Sequence, residues 1–207
     1  MDAERVAMVR EVLRSTGWVD RTRDFARAMR RSTERKGGLL LVGTPDGEPW
    51  HLAAHLDEES RWSGVPEITP TLVRWTVPDG APPHLAVSLA RLEEAHRGET
   101  VLVVAEDAAP DPLLERVDDA RRHGATVLAL DGGDAALEDL AHESLTVVEA
   151  DLVVPELSFD TVQHLVSAAA GEPDAVAAAT RPRGLRGRLA QALDTISGTP
   201  RREDGWR

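Results

Sequence analysis

The sequence predicts an α/β protein: a three-layer α/β/α sandwich built on a five-stranded, mostly parallel sheet. Three observations carry this. Thr100–Leu130 reads as strand, loop, helix and strand, which is a βαβ unit. Five short apolar runs are separated by segments with helical spacing. At least one of these runs, Leu39–Val42, is continuous rather than alternating, as expected of a strand buried on both faces.

Taken in order, residues 3–16 place Val6, Val9 and Leu13 at helical spacing, and a second helix fits Asp20–Arg35 with Phe25 and Met29 on one face. Gly37-Gly38 ends it, and Leu39–Val42 is the first strand. A turn-rich loop, Gly43–Gly47, precedes a helix from Glu48 to about Ser63. Thr71–Val77 is the second strand and His84–His96 a helix closed by Gly98. Thr100–Ala105 is the third strand. Asp111 is read as the N-cap of the next helix, with Pro112 at its first position. Gly124 stops that helix, and Thr126–Leu130 is the fourth strand. A short helix at Ala135–His142, a fifth strand at Leu145–Val148 and a helix at Asp160–Ala170 complete the body. The resulting division is residues 1–36 as N-terminal helices, 37–171 as the α/β domain, and 172–207 as a linker and basic tail. In the tail, Leu185–Ile196 has the spacing of an amphipathic helix, with disorder expected from Ser197.

The net charge of −12 conceals a polarity along the chain. Residues 1–36 carry 10 basic and 6 acidic side chains, 37–180 carry 7 and 27, and 181–207 carry 7 and 3. An acidic body between basic ends argues against nucleic acid as a ligand, since phosphate binding needs clustered cations. There is no cysteine, hence no disulfide and no thiolate chemistry. Without a signal peptide or a long apolar run, the expectation is a cytoplasmic protein with no membrane association. No Gly-rich loop fits the dinucleotide or P-loop patterns, and no nucleophile elbow is visible.

Over Gly37–Gly171 the pattern resembles the sugar isomerase (SIS) domain. The residues that carry the resemblance are the strand and glycine loop Leu39–Gly43, and the run Leu114, Val117, Ala120-Arg121, Gly124-Ala125, Val127–Leu130. Leu137, Leu140-Ala141 and Leu145 continue it. The resemblance implies a homodimer that binds a small carbohydrate-like ligand. SIS domains usually grip a sugar phosphate with a hydroxyl-rich loop after the third strand. This chain has Ala105-Glu106-Asp107-Ala108-Ala109-Pro110 there, followed by Asp111. Glu106 and Asp107 place charge where a dianion would sit, at a cost of up to ~4 kcal/mol per like-charge pair. The helix dipole returns only ~0.3–1 kcal/mol. Ligand contacts are therefore expected from Gly43, Thr44, Trp50, Glu106, Asp107 and Asp111, without a phosphate seat.

The helix after the first strand reads Pro49-Trp50-His51-Leu52-Ala53-Ala54-His55-Leu56. It is similar to the His-x-x-x-Glu helix of the sedoheptulose 7-phosphate isomerase branch, which carries metal ligands. The resemblance implies a zinc site at His51 and His55, joined by Gln163 from the last helix. The branch's further histidine would fall at Gly171, and His164 is expected to point about 100° away from Gln163. The bland alternative is a capping or surface role for the histidine pair. The function expected overall is an atypical SIS-like domain without catalysis, binding a carbohydrate derivative or serving as a dimeric scaffold or regulator. The alternatives are a metal-dependent sugar-phosphate isomerase, or a protein that binds a protein partner through its basic tail.

Overall fold

The computed structural model describes residues 17–148 and 158–172. The helix expected at 3–16, the amphipathic tail helix and all but the first residue of the linker lie outside them. Five strands form one all-parallel sheet in the order β2-β1-β3-β4-β5: β1 Leu39–Gly43, β2 Pro70–Val73, β3 Thr100–Ala105, β4 Thr126–Asp131 and β5 Glu143–Thr146. The helices are α1 Trp18–Ser32, α2 Trp50–Ser63, α3 Ala90–Glu93, α4 Asp111–Arg122, α5 Ala135–Leu140 and α6 Phe159–Ala170. Among the described residues no helix is long and apolar enough to cross a membrane.

The two-residue period of the strands sorts the core into two layers. Leu39, Leu41, Leu102, Val104, Leu128, Leu130 and Leu145 face one way, against Phe25, Met29, Leu52, Leu56, Val162 and Val166 of α1, α2 and α6. Leu40, Val42, Val101, Val103, Val127 and Ala129 face the other way, against Leu92, Leu113, Val117, Ala120 and Leu137 of α3, α4 and α5. Each fully buried Leu or Val contributes roughly 1.5–3 kcal/mol. α1 and α6 are also tied through charge. Arg30 donates to the carbonyls of Ala169 and Ala170 at 2.8 and 3.0 Å, a cation on the negative end of α6.

Several boundaries differ from those read in the sequence. β2 ends at Val73, because the Arg74 N–H turns to the Val87 carbonyl at 2.8 Å. That contact also explains the missing helix at His84–His96. Val87 and Ser88 leave helical geometry to pair with Arg74, the residue just beyond β2, leaving a 3₁₀ turn at Pro83–Leu85 and the single turn of α3. β5 starts two residues early, at Glu143. Asp111 is the first helical residue of α4 and Pro110 takes the N-cap position, so Asp111 caps nothing.

At the amino end of β3, Glu99 is 1% exposed. Its carboxylate accepts from Arg35, from Arg91 Nη2 at 2.5 Å, and from the His96 backbone N–H and Nδ1 at 3.2 and 2.9 Å. Burial raises its pKa, but the two guanidinium groups and the His96 N–H outweigh it and hold the carboxyl below its ordinary value. A carboxylate with a lowered native pKa contributes stability that is fully present above the ordinary value of 4.5 and is lost as pH falls from there through the lowered native value. Glu99→Gln is expected to cost about 3 kcal/mol at neutral pH, the scale of breaking a buried ion pair. It should also flatten the acid limb of stability against pH. Urea titrations of both proteins from neutral pH to below 4.5 check this, and coincident curves would refute it.

Candidate functional site

The chain leaves β1 toward β2 on one side and β3 toward β4 on the other. Their carboxyl ends therefore form the switch point where open α/β sheets bind ligands. Two glycines set the backbone there. A Cβ at Gly43 would lie 2.0 Å from the Gly47 carbonyl oxygen, and one at Gly132 would lie 2.0 Å from that of Glu106. No side chain fits at either position, so both loops fold tightly over the strand ends.

Beyond Gly43, a turn closes through Gly47 N–H to the Thr44 carbonyl at 3.2 Å and delivers Glu48. Glu48 organises one half of the edge. Its Oε2 accepts from Trp50 Nε1 at 2.9 Å and from Arg74 Nε and Nη2 at 3.2 and 3.1 Å. Its Oε1 accepts the Trp75 N–H at 3.1 Å. The Arg74 guanidinium lies 4.6 Å from the Trp50 ring centroid, and Trp75 Nε1 donates to the Gly43 carbonyl at 2.7 Å. Trp50 remains 41% exposed, an indole fixed at one edge and open to solvent. Thr44, which closes the turn with Gly47, is half-buried.

The loop after β3 forms the other half. Glu106, Asp107 and Asp111 are exposed and have no side-chain partner among the described residues. Ala109 N–H, a donor that an anion would need, is taken by Asp134 Oδ2 at 2.7 Å. Pro110 and Pro112 have no N–H to offer. Asp134 also caps α5 through Ala136 N–H at 3.0 Å and Leu137 N–H at 3.4 Å. Behind the loop, Asp131 is fully buried. Its Oδ1 accepts Gly133 N–H at 2.8 Å and its Oδ2 has no partner. Burial pushes its pKa up, opposed by that N–H.

On the face covered by α1, α2 and α6, three imidazoles converge. His51 and His55 are one turn apart on α2, and His164 reaches them from α6. His51 Nε2 lies 3.0 Å from His55 Nε2 and 3.0 Å from His164 Nε2. The rings meet edge to face with centroids 4.5–4.6 Å apart. Asp160 Oδ2 is 3.8 Å from His164 Nε2, and Glu58 Oε2 is 4.0 Å from His55 Nδ1. Burial lowers the His164 pKa, as do His55 and His51, while Asp160 opposes them. The expectation that His164 points away is therefore corrected. It is His164 that faces the pair, and Gln163 sits half-buried one position earlier. Gly171 lies against Glu59: a Cβ there would fall 2.2 Å from Glu59 Oε2. Glu59 is two turns from His51, about 12 Å along α2, and burial, then Glu58, raises its pKa.

Sequence reasoning missed Glu48, Arg74, Asp134 and the role of His164. Asp134 alone left a local signal, an Asp immediately before a short helical segment.

The architecture defines a doubly wound, all-parallel α/β domain whose topological switch point lies at the carboxyl ends of β1 and β3. It shares this fold with the crystal structure of a candidate sugar-binding protein from Salmonella typhimurium LT2. The match covers 86% of this chain and 52% of that one, with a TM-score of 0.50 and 17% identity. At this identity the likeness concerns the fold alone, and the match spans about half of that protein. No family model and no curated protein sequence matches the chain.

Asp134→Ala removes the cap of α5 and releases the Ala109 N–H, with an expected loss of about 1–2 kcal/mol. Asp134→Asn keeps an acceptor and should lose less. Thermal denaturation, with amide exchange at Ala109 as the local readout, checks the ordering of the two variants.

Proposed function

We propose that this chain is a SIS-like domain that binds a small carbohydrate-type ligand at the carboxyl edge of its sheet, without catalysis and without a phosphate grip. The observation that carries this reading is the loop after β3. Its Ala109 donor already serves Asp134, two prolines remove further donors, and Glu106 and Asp107 repel a dianion. The positive support is the Glu48–Arg74–Trp50 group beyond Gly43: a partly exposed indole with Arg74 stacked over one face and the Glu48 carboxylate at its N–H edge. Such a set suits the apolar face and hydroxyls of a neutral or amino sugar. The fold neighbour described as a candidate sugar-binding protein is in keeping with it. In this reading the chain is a cytoplasmic homodimer, which sedimentation tests, and a scaffold or regulatory role would use the same dimer.

A second reading, a metal-dependent sugar-phosphate isomerase, draws on the histidine trio. The loop that repels phosphate weighs against it. The third, a partner bound by the basic tail, concerns residues outside those described.

Thermal shift and Trp fluorescence titrations with neutral sugars, amino sugars and sugar phosphates at matched ionic strength test the proposal. A neutral or amino sugar is expected to bind, and Trp50→Ala to weaken it about tenfold, roughly 1.4 kcal/mol. A sugar phosphate binding more tightly than its unphosphorylated parent would overturn the reading.

A further inference from the structure

We infer that His51, His55 and His164 form a binding site for a divalent transition-metal ion of the zinc class, with a fourth position open to Asp160 or water. The inference goes beyond the ligand reading and does not depend on it.

The first argument is geometric. All three ligand atoms lie within 4.8 Å of one another, with two Nε2···Nε2 separations of 3.0 Å. Metal–nitrogen distances of 2.0–2.1 Å in a tetrahedral site place ligand nitrogens about 3.3 Å apart. The trio is thus within a few tenths of an ångström of a coordinating arrangement along two of its edges.

The second argument is proton bookkeeping. A neutral imidazole nitrogen carries either one N–H or one in-plane lone pair. His51 Nε2 faces two other Nε2 atoms, so a single proton or a single lone pair must serve two contacts. One of the two is left poorly made. Protonating a ring to supply another donor sets a cation against two close imidazoles. A divalent ion among the three accepts every lone pair at once. Imidazole donors suit zinc, copper, nickel and cobalt, and three histidines with an open position form a recurring zinc set.

The third argument is support. His51 and His55 sit at i and i+4, so one helix face presents both. α2 and α6 run in the same sense: His164 meets His51 and His55, and Gly171, farther along, meets Glu59. Leu52, Leu56, Val162 and Val166 are fully buried beneath them, which fixes both helices before any ion arrives. Asp160 near His164 Nε2 can supply a fourth oxygen, and Glu58 near His55 Nδ1 can orient that ring. His164 comes from a position that the resemblance does not mark as a ligand, so the set is defined by the packing of the two helices.

The test uses the full chain, untagged and stripped with chelator. Zn²⁺ is titrated in competition with a chromophoric chelator, and Co²⁺ is titrated by visible absorption. The expected result is one ion per chain with the intense d–d bands of a four-coordinate Co²⁺ site. His51→Ala and His164→Ala should each weaken binding by about 100-fold or more, since even supporting residues around such sites are worth 10–100-fold. Gln163→Ala and His123→Ala should bind like the parent. Circular dichroism establishes that each variant is folded, with His164→Gln as the substitute if the alanine variant is not. Absence of the Co²⁺ bands, or Zn²⁺ affinity unchanged by loss of His164, would overturn the inference. Equal weakening by Gln163→Ala would overturn the choice of His164 as ligand.

Discussion

The constraint on which the rest depends is the burial of the central strand pair. Every residue of β1 and β3 is buried, and each strand is hydrogen-bonded on both sides within the sheet. Polar chemistry cannot enter along such strands, because an unpaired polar group there would cost several kcal/mol. It is confined to their two ends. At the amino end Glu99 gathers Arg35, Arg91 and His96. At the carboxyl end Glu48 gathers Arg74, Trp50 and Trp75, and Asp134 gathers the loop after β3. A carboxylate closes the structure at each place, which is where an acidic chain spends part of its charge.

That use of carboxylates decides what the carboxyl edge can hold. A helix N-terminus is ordinarily a place for anions, through its free N–H groups and its dipole. At α4 the dipole remains, but Asp134 occupies one donor and prolines delete others. A repulsion of up to ~4 kcal/mol per like-charge pair then exceeds the ~0.3–1 kcal/mol that the dipole offers. On the proposed reading the edge suits neutral or cationic groups, and the part of Trp50 left exposed by Arg74 and Glu48 would meet them.

The fold was legible in the sequence because burial on both faces writes itself as short continuous apolar runs, as at Leu39–Val42 and Thr100–Ala105. It was less legible where backbone bonds are exchanged across the chain. The segment at His84–His96 has helical spacing in Leu85, Leu89 and Leu92, yet Val87 and Ser88 pair with Arg74 just beyond β2 instead. Nothing in a local window states that Arg74, some 13 residues earlier, will take the Val87 carbonyl. The Glu48–Arg74 pair was hidden for the same reason: 26 residues separate its members, and the turn at Gly43–Gly47 brings them together.

The histidine trio shows a finer limit. His51 and His55 are legible as a pair, since one helix fixes their spacing. Choosing between Gln163 and His164 is a choice of about 100° in the phase of α6. That phase is set by which residues of α6 are buried, namely Phe159, Val162, Val166, Ala169 and Ala170. His164 falls between Val162 and Val166, at the flank of the buried stripe and on the side of α2. The apolar spacing thus determines the phase, and the position of α2 beside α6 determines which flank meets a partner. The trio and the acidic loop before α4 lie on opposite faces of the sheet. Trp50, adjacent in sequence to His51 and hydrogen-bonded to Glu48, connects the helix of the trio to the turn after β1. The proposed ligand on Trp50 would lie next in the chain to His51 of the proposed metal site, with the acidic loop after β3 on one face of the sheet and the three imidazoles on the other.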